Sequence, residues 1–158
     1  MLFPTHLVVA VGLGRRRLPT AWVLVGAALP DLVDKPLAMA GVIPTYHSVV
    51  HSALFVPVLA ALFLLARRRG ENSAVRPIAA VILGWGSHLV ADAVHIAVNG
   101  RPENTVFLLW PVVDSWDSIN AGPVRFAVQY VGTPSFYLEA VIWAGVAALF
   151  VRDALSAS

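Results

Sequence analysis

Residues Pro77–Val98 read PIAAVILGWGSHLVADAVHIAV, a run without Lys, Arg or Glu and with one Asp. A helix needs about 20 residues to cross a hydrocarbon core of roughly 30 Å, so this stretch predicts a spanning helix. Four more apolar stretches flank it, at residues 2–14, 19–33, 48–66 and 135–152. The first two are short. They fit tilted half-spans, a locally thinned bilayer, or helices packed mainly against the others. Composition points the same way: the 158 residues are 58% hydrophobic and 13% charged, with mean hydropathy +0.76, whereas a soluble domain carries about 25% charged residues. The expected fold is all-α, a polytopic membrane helix bundle of about five helices. It forms one membrane-embedded domain over residues 1–158, multi-pass in the cell membrane, with the lipid bilayer as its partner.

No internal repeat or linker divides the chain. Between Asn99 and Pro134 lie Pro102, Pro111, Pro123, Gly100, Gly122 and Gly132, so this piece reads as loop with a short interfacial helix around Val106–Val113. Trp110 and Trp116 fit interface anchors. The formal charge of +2 comes from arginines gathered between apolar runs, not spread along a nucleic-acid groove, and nucleic-acid binding is not expected. Arg15–Arg17, Arg67–Arg69, Arg76 and Arg152 fall on one side of a five-crossing bundle, which the positive-inside rule makes cytoplasmic. Arg15–Arg17 also follow the first apolar stretch, whereas a signal peptide carries its positive charge before it. With no cysteine, thiolate sites are excluded and a metal would be held by His and carboxylate.

Polar groups within apolar stretches each cost a few kcal/mol unless paired, hydrated or ligated, about 2.5–3.5 kcal/mol for a central Asp by insertion scales. Here they are His6, Asp31, Asp34, His47, His51, His88, Asp92 and His95, and they include every histidine of the chain. His47 and His51 are four apart, as are His88 and Asp92, a spacing that puts each pair on one face of a helix. His95 returns to the face of His88. With the arginines inside, all eight lie in the outer half of their helices, an arrangement scattered core histidines would have no reason to adopt. His with carboxylate is a usual zinc shell. Ser48, Ser52 and Ser87 stand beside histidines but lack the G-x-S-x-G elbow of a serine nucleophile. Gly84-Trp85-Gly86 fits close helix packing ahead of His88.

In order along the chain come Thr5-His6, Leu29-Pro30-Asp31, His47-Ser48-Val49-Val50-His51-Ser52, Gly84-x-x-Ser87-His88-x-x-x-Asp92 and Leu108-Leu109-Trp110-Pro111. This series resembles the family of small, multi-spanning membrane-bound metal-dependent hydrolases of inner-membrane type, and more distantly the zinc-dependent phospholipase C enzymes. The likeness covers about residues 1–113. It departs in the histidine pair, which that family spaces five apart. The resemblance implies a metal set of His6, Asp31, His51, His88 and Asp92, with His47 in the place of the upstream histidine, and a divalent metal, zinc above others.

A metal with an open coordination position lowers the pKa of bound water to about 7 and polarises a phosphoryl or acyl oxygen. The expected activity is therefore hydrolysis of a phosphoester, with a lipid or lipid-linked phosphate as substrate and Asp34 or Asp92 as general base. The alternative from another class is metal-ion or proton handling without hydrolysis, which the same cluster would serve. A haem carrier, the third reading, leaves the carboxylates unexplained.

Overall fold

The computed structural model describes residues 1–14, 17–114 and 123–156, and no strand occurs among them. Arg15, Arg16, Trp116 and Gly122 lie outside the described residues. The apolar stretches become helices α1 (Phe3–Gly14), α2 (Thr20–Met39), α3 (Val56–Arg68) and α4 (Asn72–Val98). After them come α5 (Pro123–Tyr130) and α6 (Pro134–Ser156). Prolines mark several starts: Pro57 sits in the first turn of α3, where its missing N–H has no intrahelical acceptor to lose. Arg67 and Arg68 occupy the last turn of α3, the end that favours cations. The piece between α4 and α5 holds a 3-10 helix, Pro102–Leu109, displaced toward the N-terminus from the expected Val106–Val113.

Two helices are long and apolar enough to cross a membrane, Ser73–Val98 at mean hydropathy 1.5 and Pro134–Ser156 at 1.6. The other three apolar stretches fall short of that test for separate reasons. α1 and α3 have 12 and 13 residues, roughly 20 Å of helix. α2 has 20 residues but carries Asp31, Asp34 and Lys35 in its second half.

The distribution of side chains is inverted relative to a water-soluble protein. His6, Asp31, Asp34, His51, His88, Asp92 and Glu139 are buried, while Trp22, Leu32, Leu62, Val90, Val141 and Leu155 are exposed. Apolar patches of this extent mark contact with lipid or another apolar partner.

The closest helix pair is α2 with α4, and glycine makes it possible. A Cβ on Gly84 would lie 2.1 Å from the Val23 carbonyl oxygen, and one on Gly26 would lie 2.2 Å from that of Val81. Small residues let backbones meet in this way inside membranes. Gly86, by contrast, faces open space. α1 packs against both helices, with Gly14 against Val23 and Leu83, and Ala10, Val23, Ala27 and Ala80 form the small apolar core among them. At that end the Arg76 guanidinium donates to the Arg17 carbonyl at 3.0 Å. The second halves of α2 and α4 and the first half of α1 thus meet at the opposite end.

Candidate metal centre

α4 supplies His88 and Asp92 one turn apart, as the spacing predicts, and His88 Nε2 lies 3.2 Å from Asp92 Oδ2. α2, held close by the two glycines, brings Asp31 Oδ1 to 3.7 Å from His88 Nε2. α1 lays the ring of His6 flat on that of His88, with centroids 3.9 Å apart, and sets His6 Nε2 3.2 Å from Asp92 Oδ1.

The histidine pair arrives differently from expectation. Residues 40–52 contain no helix, so His47 and His51 share no helix face, and their fourfold spacing is incidental. The loop is folded around Asp34 instead. This buried carboxylate accepts the backbone N–H groups of Ser48 at 3.0 Å, Val50 at 3.1 Å and His51 at 3.2 Å. The Trp85 indole donates to the Val50 carbonyl at 2.8 Å, and the Ser52 hydroxyl donates to the Trp110 carbonyl. Phe107, fully buried, stands against His47 at 5.0 Å between ring centroids. Fixed in this way, His51 Nε2 reaches 3.3 Å from His88 Nε2, 3.5 Å from Asp92 Oδ2 and 3.7 Å from Asp31 Oδ1. His47 Nε2 lies 3.5 Å from Asp92 Oδ2.

Seven of the eight predicted groups therefore gather, six as candidate ligands and Asp34 behind them. His6, His88 and Asp92 form one set that could hold a metal ion; Asp31, His51 and His88 form a second; His47, His51 and Asp92 form a third. His95 is turned aside, packed near Tyr130 with ring centroids 5.7 Å apart.

The donor set fits a cation. The Nδ1–H of His51 donates to Asp34 Oδ2 at 2.8 Å, and that of His88 to the Ala27 carbonyl at 2.7 Å. Metal-ligating histidines are oriented by this kind of bond to a carboxylate or carbonyl, and it leaves the Nε2 lone pairs aimed at the cluster centre. Carboxylate oxygens and imidazole lone pairs are acceptors that repel one another unless positive charge lies between them. Asp31, Asp34 and Asp92 surround His51 with carboxylate oxygens at 2.8–3.7 Å, a negative field that would attract a metal.

A family model described as YdjM inner membrane protein matches residues 1–155. The chain belongs to the YdjM inner membrane protein family. Membrane location follows from that membership and agrees with two helices long and apolar enough to span a bilayer. No curated protein matches the chain, and no solved structure does.

The serines beside the histidines have structural work: Ser48 and Ser87 donate to the carbonyls of Thr45 at 3.1 Å and Gly84 at 2.8 Å, as Ser52 does to Trp110. Sequence reasoning missed the supports, namely the Ala27 carbonyl, Trp85 and Phe107. It also missed Glu139, a buried carboxylate in α6 whose isolation in an apolar run was the available signal. Glu139 accepts the Thr5 hydroxyl at 2.6 Å, the Leu2 N–H at 2.7 Å and the Tyr130 hydroxyl.

Proposed function

We propose that this chain is a membrane-embedded, metal-dependent hydrolase acting on a phosphoester or lipid-linked phosphate. His6, Asp31, His47, His51, His88 and Asp92 would hold a divalent metal, most simply zinc. The observation that carries this reading is the convergence of His51 Nε2, His88 Nε2, Asp31 and Asp92, with both histidines oriented from behind by Asp34 and the Ala27 carbonyl. When bound, the metal supplies a Lewis acid and an activated water.

The chain's own residues divide the remaining tasks. Asp34 has both oxygens engaged by N–H donors, so it positions His51 and its loop and leaves the general-base task to Asp92. Asp92 borders an open cavity together with Asp31 and His47, where its carboxylate would accept the proton of the attacking water. α4 and α6 cross the bilayer in this reading. α1, α2 and α3 complete a five-helix bundle at membrane depth, with the Arg17, Arg67–Arg69 and Arg76 end cytoplasmic. Single cysteines placed at Gly70 and Gly100 test that orientation: an impermeant thiol reagent should label the second alone in whole cells, and the reverse would overturn it.

The decisive measurement is metal content of the purified protein beside phosphodiester and phosphomonoester assays. Wild type should carry stoichiometric metal and hydrolyse at least one substrate class. His88→Ala and Asp92→Ala should lose both while still inserting, because insertion depends on apolar length. Wild type free of metal after purification without chelators would sink the reading. Metal bound without hydrolysis would favour metal-ion or proton handling.

A further inference from the structure

Beside the cluster lies a cavity of about 350 Å³. One wall is the candidate centre itself, through Asp31, His47 and Asp92. The lining is otherwise largely apolar, with Phe3, Met39 and Phe126 prominent. Beside Tyr46 and Met1, whose ammonium lies 3.5 Å from Asp92 Oδ1, two further polar residues border the space and take no part in the three candidate ligand sets.

The first is Lys35, whose ammonium sits 2.6 Å from Asp31 Oδ2 with its side chain 41% exposed. The opposite oxygen of Asp31 faces His51 and His88. A group entering the cavity would thus meet the Lys35 cation and the cluster across a single carboxylate. The second is His95. It is only 8% exposed and borders the cavity, yet its Nδ1 has no hydrogen-bond partner among the described residues. A buried, unpartnered imidazole nitrogen costs about 1–3 kcal/mol, a cost that a bound polar group would remove.

We propose that this cavity is the substrate chamber and that it takes an anionic phosphoester attached to a hydrocarbon chain. The phosphate would lie between the cluster and Lys35, His95 would hydrogen-bond the polar headgroup, and the chain would run along the Phe3, Met39 and Phe126 wall. The volume fits this division, since ligand sites of roughly 300–1,000 Å³ enclose most of a small amphiphile. Lys35 and His95 are then specificity-determining residues outside the metal shell. This inference rests on the hydrolase reading for its catalytic meaning, but its binding claim is separable.

The test uses full-length protein in detergent and three probes: dihexanoyl phosphatidic acid, dihexanoylglycerol and glycerol 3-phosphate. Phosphatidic acid should bind at least about tenfold more tightly than either partial probe, because each lacks one of the two recognised features. Lys35→Gln should weaken phosphatidic acid about tenfold, the scale of one charge-assisted hydrogen bond, and leave dihexanoylglycerol unchanged. His95→Phe keeps an aromatic ring against Tyr130 and Phe126 and should weaken phosphatidic acid by about three- to tenfold. Metal content should match wild type in both variants, which also reports that the cluster has stayed intact. Equal binding of dihexanoylglycerol, equal binding of glycerol 3-phosphate, or wild-type affinity in both variants would overturn the chamber. Wild type without metal would instead sink the hydrolase reading, and the three-probe comparison would still decide the chamber by itself.

Discussion

Asp92 in α4 and Glu139 in α6 are both carboxylates on helices long and apolar enough to cross a membrane, and both are 3% exposed. Their surroundings differ in kind. Glu139 meets side-chain and backbone donors: the Thr5 and Tyr130 hydroxyls and the Leu2 N–H. The Trp143 indole in turn donates to Thr5 at 3.0 Å, closing a network that joins α1, α5 and α6. Asp92 meets the imidazole nitrogens of His6, His47, His51 and His88 and, at 3.5 Å, the Met1 ammonium, and it lies in a cluster with Asp31. A buried carboxylate ringed by donors is satisfied and acts as a fastener. One ringed by potential metal ligands could hold a cation, and an ionisable group kept in that state within a membrane is a functional candidate.

The comparison depends on a scaffold shared by both regions, so the largest effect should come from breaking the scaffold. Gly84→Val would drive a branched side chain into the Val23 carbonyl, which a Cβ alone would already approach to 2.1 Å. α2 and α4 would have to separate, and Asp31 would leave His88. We expect loss of folded protein in detergent, read by size-exclusion chromatography, whereas Gly86→Ala should elute like wild type because that position meets open space. A well-folded Gly84→Val protein with intact metal content would show that the close helix contact is not what assembles the site.

A smaller effect, confined to the metal side, is expected at Asp34. Asp34→Asn keeps the size but replaces one acceptor oxygen with a donor, facing the N–H groups of Ser48, Val50 and His51 and the His51 ring. Loss of such a supporting carboxylate typically lowers metal affinity by about 10–100-fold. Zinc titration should show a decrease of that size with the helical content retained. An unchanged affinity would mean that His51 does not depend on Asp34 for its orientation.

The geometry of the part of the site carried on helices was legible in the sequence; for the loop part the residues were legible and their backbone was not. His88 and Asp92 face one way because they are one helical turn apart, and Asp31 could be placed because α2 ends its apolar run there. The pair His47 and His51 has the same spacing, yet it belongs to a loop whose fold is dictated by Asp34, a residue distant in sequence. Nothing in Val49-Val50 or Ala53-Leu54 marks where the helix begins, since an apolar loop packed inside a bundle and an apolar helix share a composition. The number of crossings suffered similarly. Hydrophobic stretches were visible, but Pro57 starts α3 late and Arg17 and Pro19 follow closely on α1, leaving helices too short to satisfy the length test. Glu139 was not legible because a single Glu beside no partner in sequence gives no spacing to read.

The smallest effects should appear on the Glu139 side, in stability and not in metal content. Glu139→Gln leaves one acceptor oxygen for the donors of Thr5, Leu2 and Tyr130 and turns an amide NH2 toward the others, which should cost about 1–3 kcal/mol. Tyr130→Phe removes one donor and leaves Glu139 with Leu2 and Thr5, so its cost should be nearer 1 kcal/mol. Both should lower the midpoint of thermal unfolding in detergent, the first more than the second, with zinc stoichiometry equal to wild type. The sensitive point is Thr5, because it joins Glu139 to the residue next to His6. If Glu139→Gln lost metal as completely as Asp92→Ala, the network would be transmitting strain through Thr5 into the cluster, and the division between a fastening carboxylate and a ligating one would fail. Metal retained with a lowered midpoint is the outcome that the donor-only surroundings of Glu139 require.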